Sequence, residues 1–337
     1  MIRKKVHASY AKKEIRGCID LGSSYFRLLV VEGVFPEPDR LGTEAFELCS
    51  FKEDRRYIGW GEDLAARGAI SQRRLGEAPG FLVELIESAR GWGCERPLLV
   101  GTNTLREARN APEAVARLEN VSLKPVRVLS QREEAALGFA GAAFFRGRDE
   151  TVCLVDVGGT SSEISWGRGA AMAGFYGIPH GVHRVQAFLG GASGMRRAAT
   201  RLGGELRGPG GILLAPSGAD YRLPVGLEQS TILLTGGTAV SLAVVLRYLR
   251  GGAPFFEEME HITLDDLAFM RRRVSGLVRS GRERTLPLDP DRTKLLAAGS
   301  ILIEALLLAM RIREFRVTAR DLRWGVVLTV RGGASTP

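Results

Sequence analysis

Two segments of the chain combine carboxylates, small residues and hydroxyl groups in the same order. The second runs from Cys153 to Glu163, with Asp156 near the end of an apolar strand and Gly158 and Gly159 following it. Glycines let a backbone approach a ligand closely and point several N–H groups at it, which suits phosphate. A hydrated Mg²⁺ binds few carboxylates and keeps water and phosphate oxygens as its other ligands. The segment therefore predicts either a phosphate and metal site or an ordinary tight hairpin.

The earlier segment, Cys18 to Arg27, repeats this plan. An apolar strand leads to Asp20, a turn of small residues follows, and a second strand runs from Phe26 to Val31. Two copies of one pattern predict an internal duplication. Two related lobes, each with an acid-tipped hairpin, would then close on one phosphate chain from opposite sides.

A pair of glutamates follows Ser130. Ser130 and Glu133 have the spacing of a capping box, which gives Glu133 a structural role at the start of a helix. Glu134 has no such role, and the helix dipole favours its ionised form. An ionised carboxylate at a crossing between two lobes is a candidate base for activating water. The alternative is an ordinary glutamate in a first helical turn.

Two further places where a strand passes into a helix are candidate anion sites. The segment from Gly101 to Asn110 opens a helix in which Arg106 would meet an anion, unless it lies on a solvated face. The segment from Thr231 to Thr238 has the shape of a phosphate or nucleotide cradle. The small residues of its turn are Gly236, Gly237 and Thr238.

Composition indicates the general class of protein. The 337 residues, 45% of them hydrophobic, predict a globular protein of two domains. The net charge of +9 suits a polyanionic partner, but the positive residues are scattered and predict no nucleic-acid partner. Widely spaced cysteines without a C-x-x-C pair do not predict zinc and fit a reducing cytoplasm. His180 and His183 lack a third ligand, and no signal peptide or membrane segment is predicted.

In chain order, these segments resemble the motifs of the exopolyphosphatase / guanosine pentaphosphate phosphatase family. The matching segments are residues 20–27, 102–110, 128–135, 156–163, 181–184, 235–243 and 322–325. The resemblance implies an α/β fold of two duplicated ribonuclease-H-like domains, as in the actin, Hsp70 and sugar-kinase superfamily, with the active site between them. We place the N-terminal domain at 1–129 and the C-terminal domain at 130–337, with the last helix or strand packing back on the first domain. A helix is predicted at 291–311 and a final strand at 326–330.

The resemblance also implies a role for each candidate residue. Glu134 would be the base, and Arg106 would clamp the terminal phosphate. Asp20, Asp156 and Glu163 would hold Mg²⁺, with Mn²⁺ as the alternative. The substrate-binding residues would be Gly22, Ser23, Ser24, Arg27, Gly158, Gly159, Thr160, Ser161, Arg184, Gly236, Gly237 and Thr238.

Three residues depart from the family pattern. Ser24 stands where the family usually has Asn, and Gln131 and Thr160 stand where it usually has Gly. The Cβ atom of Thr160 resists a positive φ, so we expect the shape of the second turn to be altered.

The activity that the resemblance implies is release of the terminal phosphate of inorganic polyphosphate. The alternative substrate is guanosine pentaphosphate (pppGpp). A cytoplasmic homodimer without a membrane or nucleic-acid partner is expected. Longer family members carry a helical HD-type domain, which this sequence does not show. Two alternatives of other classes are a sugar-kinase-like ATPase and a non-catalytic protein that binds polyphosphate or (p)ppGpp.

Overall fold

The structure is a computed structural model that describes residues 13–35, 46–188, 213–214, 220–221, 227–253 and 260–329. The first sheet contains β1 (Glu14–Leu21), β2 (Tyr25–Val34), β3 (Glu47–Tyr57), β4 (Leu98–Gly101) and β5 (Val126–Val128). Its strand order is β3-β2-β1-β4-β5. The first three strands are antiparallel, and β4 and β5 continue the sheet in the direction of β1.

The second sheet has the same plan with one strand added at its edge. Its strands are β6 (Thr151–Val157), β7 (Ser162–Arg168), β8 (Ala171–Ile178), β11 (Thr231–Thr235), β12 (Glu260–Thr263) and β13 (Glu314–Val317). The order is β12-β13-β11-β6-β7-β8, again with three antiparallel strands and two parallel to the first. A separate ribbon joins β9 (Leu213–Leu214) to β10 (Asp220–Tyr221). The matching strand orders confirm the predicted α/β fold and its duplication.

Helices cover both sheets. They are α1 (Trp60–Arg67), α2 (Gln72–Gly91), α3 (Asn103–Glu107), α4 (Ala111–Ser122), α5 (Gln131–Ala143), α6 (Val182–Phe188), α7 (Gly236–Leu249), α8 (Leu264–Arg279), α9 (Pro290–Ala309) and α10 (Leu322–Thr329). We call the first sheet with α1 to α4 the first lobe, and the second sheet with α6 to α9 the second lobe. The helix predicted at 291–311 is confirmed as α9. No helix among the described residues has both the length and the apolar character to cross a membrane.

The first sheet is buried on both faces, because its strands alternate between two cores. Ile19 and Leu28 join a core with α2 and α4, while Cys18 and Leu29 face the other side, where α10 lies. Successive side chains of a strand point to opposite faces, so this continuous apolar run fills both cores at once. The core between α5 and the second sheet includes Phe139. The domain boundary at 129 and 130 stays a prediction.

The predicted final strand at 326–330 is wrong, since the chain forms α10 there as far as Thr329. Its valines favoured a strand by intrinsic preference. Packing decides otherwise, because α10 crosses α5 so closely that a Cβ atom on Gly325 would lie 1.8 Å from the Leu137 carbonyl oxygen. A Cβ atom on Gly141 would lie 2.2 Å from the Asp321 carbonyl oxygen. Helical glycines thus allow the two helices to meet between the lobes.

Candidate active site

The two acid-tipped hairpins have the same geometry. In the first, the Gly22 N–H donates to the Tyr25 carbonyl oxygen at 3.2 Å, and in the second the Gly158 N–H donates to the Ser161 carbonyl oxygen at 3.0 Å. A Cβ atom on either glycine would come within 2.9 Å of the carbonyl oxygen that it bonds. The close turn therefore excludes a side chain at both positions.

A cavity of about 110 Å³ lies between the lobes and is lined by both hairpins. We call it the cleft cavity. The predicted site residues that line it are Asp20, Gly22, Ser23, Ser24, Arg27, Glu134, Asp156, Gly158, Gly159, Thr160, Ser161, Glu163, Gly236, Gly237 and Thr238. Cavities that enclose drug-sized ligands measure roughly 300–1,000 Å³, so this one has room for a small group only.

Two predicted arginines are not in the lining. Arg106 is outside the lining and donates a hydrogen bond to the base candidate Glu134. Arg184 is turned away, since its guanidinium bonds the Pro179 carbonyl oxygen and the Glu107 carboxylate. The structure thus gives Arg184 a structural contact between α6 and the end of α3.

The register of the hairpins gives the two aspartates different neighbours. Asp20 on β1 is paired across the hairpin with Arg27, whereas Asp156 on β6 is paired with Glu163. Opposite charges across a strand pair attract each other and like charges repel. The duplicated frame therefore has a neutralised acid in the first lobe and two adjacent acids in the second.

Arg27 ties the first hairpin to the start of α10. Its Nε donates to Asp20 Oδ2 at 3.1 Å, and its Nη1 donates to Asp321 Oδ2 at 2.7 Å. Arg323 also contacts Asp321, at 3.1 Å. Burial opposes the ionised form of Asp321, but the charges of Arg323 and Arg27 hold its pKa below the usual value. Removing one partner from such a buried ion network typically costs about 3–5 kcal/mol.

Glu134 lies in the first turn of α5, and the predicted capping box fixes that turn. Ser130 accepts the Glu133 N–H while the Glu133 carboxylate accepts the Ser130 N–H. The Glu134 carboxylate accepts a hydrogen bond from Arg106 Nη1 at 2.5 Å. Burial raises the pKa of Glu134 by more than the Arg106 charge lowers it. A carboxylate in this environment has increased affinity for a proton, as a general base requires.

The acids of the second hairpin have raised pKa values. Burial, followed by the charge of Asp321, raises the pKa of Asp156 to about 7. Burial also raises the pKa of Glu163 well above its usual value, and the nearby charges of Glu134 and Asp156 add to the effect. Buried like charges of this kind call for a proton or a cation.

The residues fit a hydrated Mg²⁺ in donor chemistry. Asp20 Oδ1 is buried and has no hydrogen-bond partner among the described residues, although Oδ2 of the same group is bonded by Arg27. No group of three or more His, Cys, Asp or Glu side chains in the described part of the chain has the arrangement of a metal site. Mg²⁺ usually takes only one or two carboxylates and completes its shell with water and phosphate oxygens. Of the predicted ligands Asp20, Asp156 and Glu163, no more than two would therefore contact such an ion directly.

The departure at Thr160 does not strain the second turn. Among the described residues, positive φ angles at non-glycine positions occur only at Leu123 and Arg311. Thr160 is buried, and its Oγ1 accepts a hydrogen bond from Asn103 Nδ2 at 2.9 Å. The threonine thus has an ordinary backbone conformation and uses its hydroxyl group to join the turn to the first lobe. The expected difference in loop shape stays a prediction.

The departure at Gln131 also has a partner, since its Nε2 donates to Glu163 Oε1 at 3.2 Å. Gly236, by contrast, is required by its backbone. It has a φ of 91°, and a Cβ atom there would lie 2.7 Å from Asp156 Oδ1. This glycine lets the start of α7 approach the acid of the second hairpin.

Three residues of the site were missed by the sequence prediction. Asn103 lines the cleft cavity at the start of α3, and Arg292 lines it from α9. His183 contacts Ser24 across the cavity rim, with 2.7 Å between Nε2 and Oγ. The segment with Asn103 was identified by its shape, but nothing in the sequence indicated that His183 or Arg292 would reach the first hairpin.

A model of the Ppx/GppA phosphatase family matches residues 45–331 of the chain. The chain belongs to the Ppx/GppA phosphatase family. Members of this family are phosphatases, so the protein is a hydrolase by family.

Solved structures show the same fold. A family member from Aquifex aeolicus is 21% identical, with a TM-score of 0.69 over 94% of this chain and 97% of that one. An exopolyphosphatase from Cytophaga hutchinsonii is 18% identical, with a TM-score of 0.74 over 94% of this chain and 97% of that one. At such sequence identities the comparison shows a shared fold, which extends over almost the whole of each compared chain.

Proposed function

We propose that this Ppx/GppA protein hydrolyses the terminal phosphoanhydride bond of inorganic polyphosphate. In this reaction water adds to the terminal phosphorus, the bridging oxygen leaves with the shortened chain, and inorganic phosphate is released. The observation that carries the proposal is the meeting of Glu134 with the acids of both hairpins in one small cavity. Phosphoryl transfer needs positioning and charge stabilisation more than covalent chemistry from the protein.

Glu134 is the proposed base. Its carboxylate takes a proton from the attacking water, for which its raised pKa suits it. Arg106 holds one carboxylate oxygen, so the group keeps a single orientation toward the cavity. Arg106 is therefore better described as orienting the base than as clamping the phosphate.

The hairpin turns and Arg27 are the proposed phosphate contacts. The N–H groups of Gly22 and Gly158 are already bonded within their turns, so donors to phosphate have to come from the residues that follow them. Asp156 and Glu163, with Asp20, would hold Mg²⁺. When bound, this ion would neutralise charge on the phosphate oxygens.

The proposal of polyphosphate over pppGpp is supported by the space that adjoins the cleft cavity. A second cavity of about 380 Å³ shares four lining residues with it, including Arg27 and Arg292. Arg55 and Arg323 also line this second cavity. Burial, followed by the charge of Arg55, lowers the pKa of Arg292 to about 10, so a further anion there would be stabilised. Glu53, Asp54 and Asp321 line the same space, so four arginines against three acids leave a small positive excess. This excess favours further phosphates of a chain over an uncharged nucleoside.

The test compares two neighbouring glutamates. Phosphate release with Mg²⁺ is measured in parallel on polyphosphate, pppGpp and ATP. Glu134→Gln should lower turnover by about 10²–10⁴, the usual contribution of a general base. Glu133→Gln is the matched control, because its side chain is 41% exposed and a glutamine still completes a capping box. Normal turnover by Glu134→Gln would contradict the proposed role.

The same assay separates the other candidate functions. A kinase-like enzyme would transfer the phosphate of ATP to an acceptor and release none from polyphosphate, and a binding protein would release none at all. If pppGpp is the preferred substrate, its kcat/KM will exceed that of polyphosphate. For a long polyanion the KM should rise steeply with salt, by analogy with nucleic acids.

A further inference from the structure

His183 is a buried polar residue that the proposed reaction does not use. It lies at the start of α6 in the second lobe, and its side chain is only 3% exposed. Its Nε2 is 2.7 Å from the Oγ of Ser24, which belongs to the first lobe and lines the cleft cavity. The pair thus joins the two lobes at the rim of the candidate phosphate site.

Two glycines pack closely against the imidazole ring. A Cβ atom on Gly61 of α1 would lie 2.3 Å from His183 Cδ2, and one on Gly159 would lie 3.0 Å from the same atom. The His183 N–H also donates to the Gly159 carbonyl oxygen at 2.8 Å. The backbones of Ser23 and Ser24 are fixed in turn, because their carbonyl oxygens accept the N–H groups of Gly61 and Ile58. The imidazole ring and the backbone of Ser24 are therefore both held in place by close contacts.

The ring is neutral near pH 7, because burial lowers the pKa of His183 to about 4, with Glu62 opposing and Arg74 adding to this shift. A neutral imidazole carries its proton on one nitrogen only. If Nε2 is bare, it accepts the Ser24 hydroxyl proton, and only oxygen lone pairs of Ser24 face the cavity. If Nε2 carries the proton, it donates to Ser24 Oγ, and the hydroxyl proton is available to a ligand.

A phosphate oxygen is an acceptor, so it needs the second arrangement. We propose that His183 is a positioning residue that carries its proton on Nε2 when phosphate is bound and so turns the Ser24 hydroxyl group toward the terminal phosphate. This inference rests on the proposed function, since it assumes that the cleft cavity receives a phosphoryl group. Ser24 stands where the family usually has Asn, and the inference gives this serine a role: its hydroxyl group is directed by His183 of the other lobe.

The direct test is the protonation state of the ring nitrogens. Wild-type protein labelled with ¹⁵N-histidine is titrated with inorganic phosphate in the presence of Mg²⁺, and binding is followed separately by calorimetry. Of the four histidines in the chain, His183 is assigned by the signals that His183→Gln lacks. We expect phosphate to shift Nε2 to the resonance of a protonated ring nitrogen. An Nε2 that stays unprotonated at calorimetric saturation overturns the proposal, and so does the absence of phosphate binding.

A kinetic test uses two substitutions at the same position. His183→Leu should raise the KM for polyphosphate about tenfold, more than it lowers kcat, because one hydrogen bond to a charged group is lost. His183→Gln, which can place an amide N–H near Ser24 Oγ, should restore most of this. Ser24→Ala should match the leucine variant, and the double variant Ser24→Ala/His183→Leu should be no worse than either. Additive effects, or no rescue by glutamine, contradict the positioning role.

The outcomes distinguish this inference from the function on which it rests. If wild-type protein releases no phosphate from any substrate, the proposed function fails. If it releases phosphate while Nε2 remains unprotonated with phosphate bound, only the role of His183 fails. The measurement is made on the wild-type protein, and His183→Gln serves only to assign the signals.

Discussion

The burial of His183 predicts a specific loss of stability in mild acid. In the folded protein its pKa is lowered to about 4 from the ordinary histidine value of 6.5, chiefly by burial. As the pH falls from 7 to 5, the unfolded chain takes up a proton at this position and the folded chain does not. Stability rises with pH wherever the unfolded state binds more protons, so here it must fall as the pH falls.

The size of the effect follows from the two pKa values. A shift of one unit corresponds to about 1.36 kcal/mol, so the free energy of unfolding should lose about 2 kcal/mol between pH 7 and pH 5 through His183 alone. The loss reaches about 3 kcal/mol below pH 4, where both states bind the proton. The side chain is almost fully buried, so solvent screening does not reduce this figure appreciably.

The assay is urea unfolding of wild-type protein and His183→Gln at pH 7 and pH 5. Other titrating groups are the same in both chains, so their contributions cancel when the two pH differences are subtracted. We expect the wild-type protein to lose about 2 kcal/mol more than the variant over this interval. An equal pH dependence in the two proteins would refute the reasoning, because it would mean that His183 titrates normally in the folded state.

Two other predictions test packing and the metal. Gly325→Ala should destabilise the protein by at least about 1–3 kcal/mol, since its Cβ atom would overlap the Leu137 carbonyl group. The control is Gly80→Ala on α2, where a Cβ atom would meet nothing within 4 Å. It should stabilise the protein by about 0.5–1 kcal/mol. Thermal unfolding measures both, and equal shifts would contradict the crossing geometry. Mg²⁺ at 100 times its Kd should add about 2.7 kcal/mol to wild-type stability and clearly less to Asp156→Asn. An equal gain in both proteins would place the ion elsewhere.

Local patterns in the sequence predicted local structure well. The capping box at Ser130 and Glu133 depends on residues three apart, and the structure reproduces both of its hydrogen bonds. The hairpin turns depend on a glycine two residues after an aspartate, and their strands take the predicted paired order. Such features are visible in the sequence because the interacting groups are neighbours in the chain.

Contacts between distant segments could not be predicted in this way. Ser24 and His183 are 159 positions apart, and Asn103 and Thr160 are 57 apart. The final helix was missed for the same reason, because its close contact with α5 outweighs the strand preference of its valines. That contact requires a glycine at Gly325, but a glycine in a sequence does not show which backbone segment approaches it.

The two hairpins have the same backbone geometry but carry opposite charges at one equivalent position. Arg27 and Glu163 occupy the same position relative to Asp20 and Asp156, seven residues on and directly across the strand pair. In the first lobe the arginine pairs with the acid, and part of its guanidinium also reaches Asp321. In the second lobe the buried acids Asp156 and Glu163 lie directly opposite each other. The pKa of Asp156 is raised to about 7. Under the proposed function, Arg27 of the first hairpin would contact the phosphate chain. Asp156 and Glu163 of the second hairpin, with Asp20, would hold the cation, so a phosphoanhydride between the hairpins would contact both.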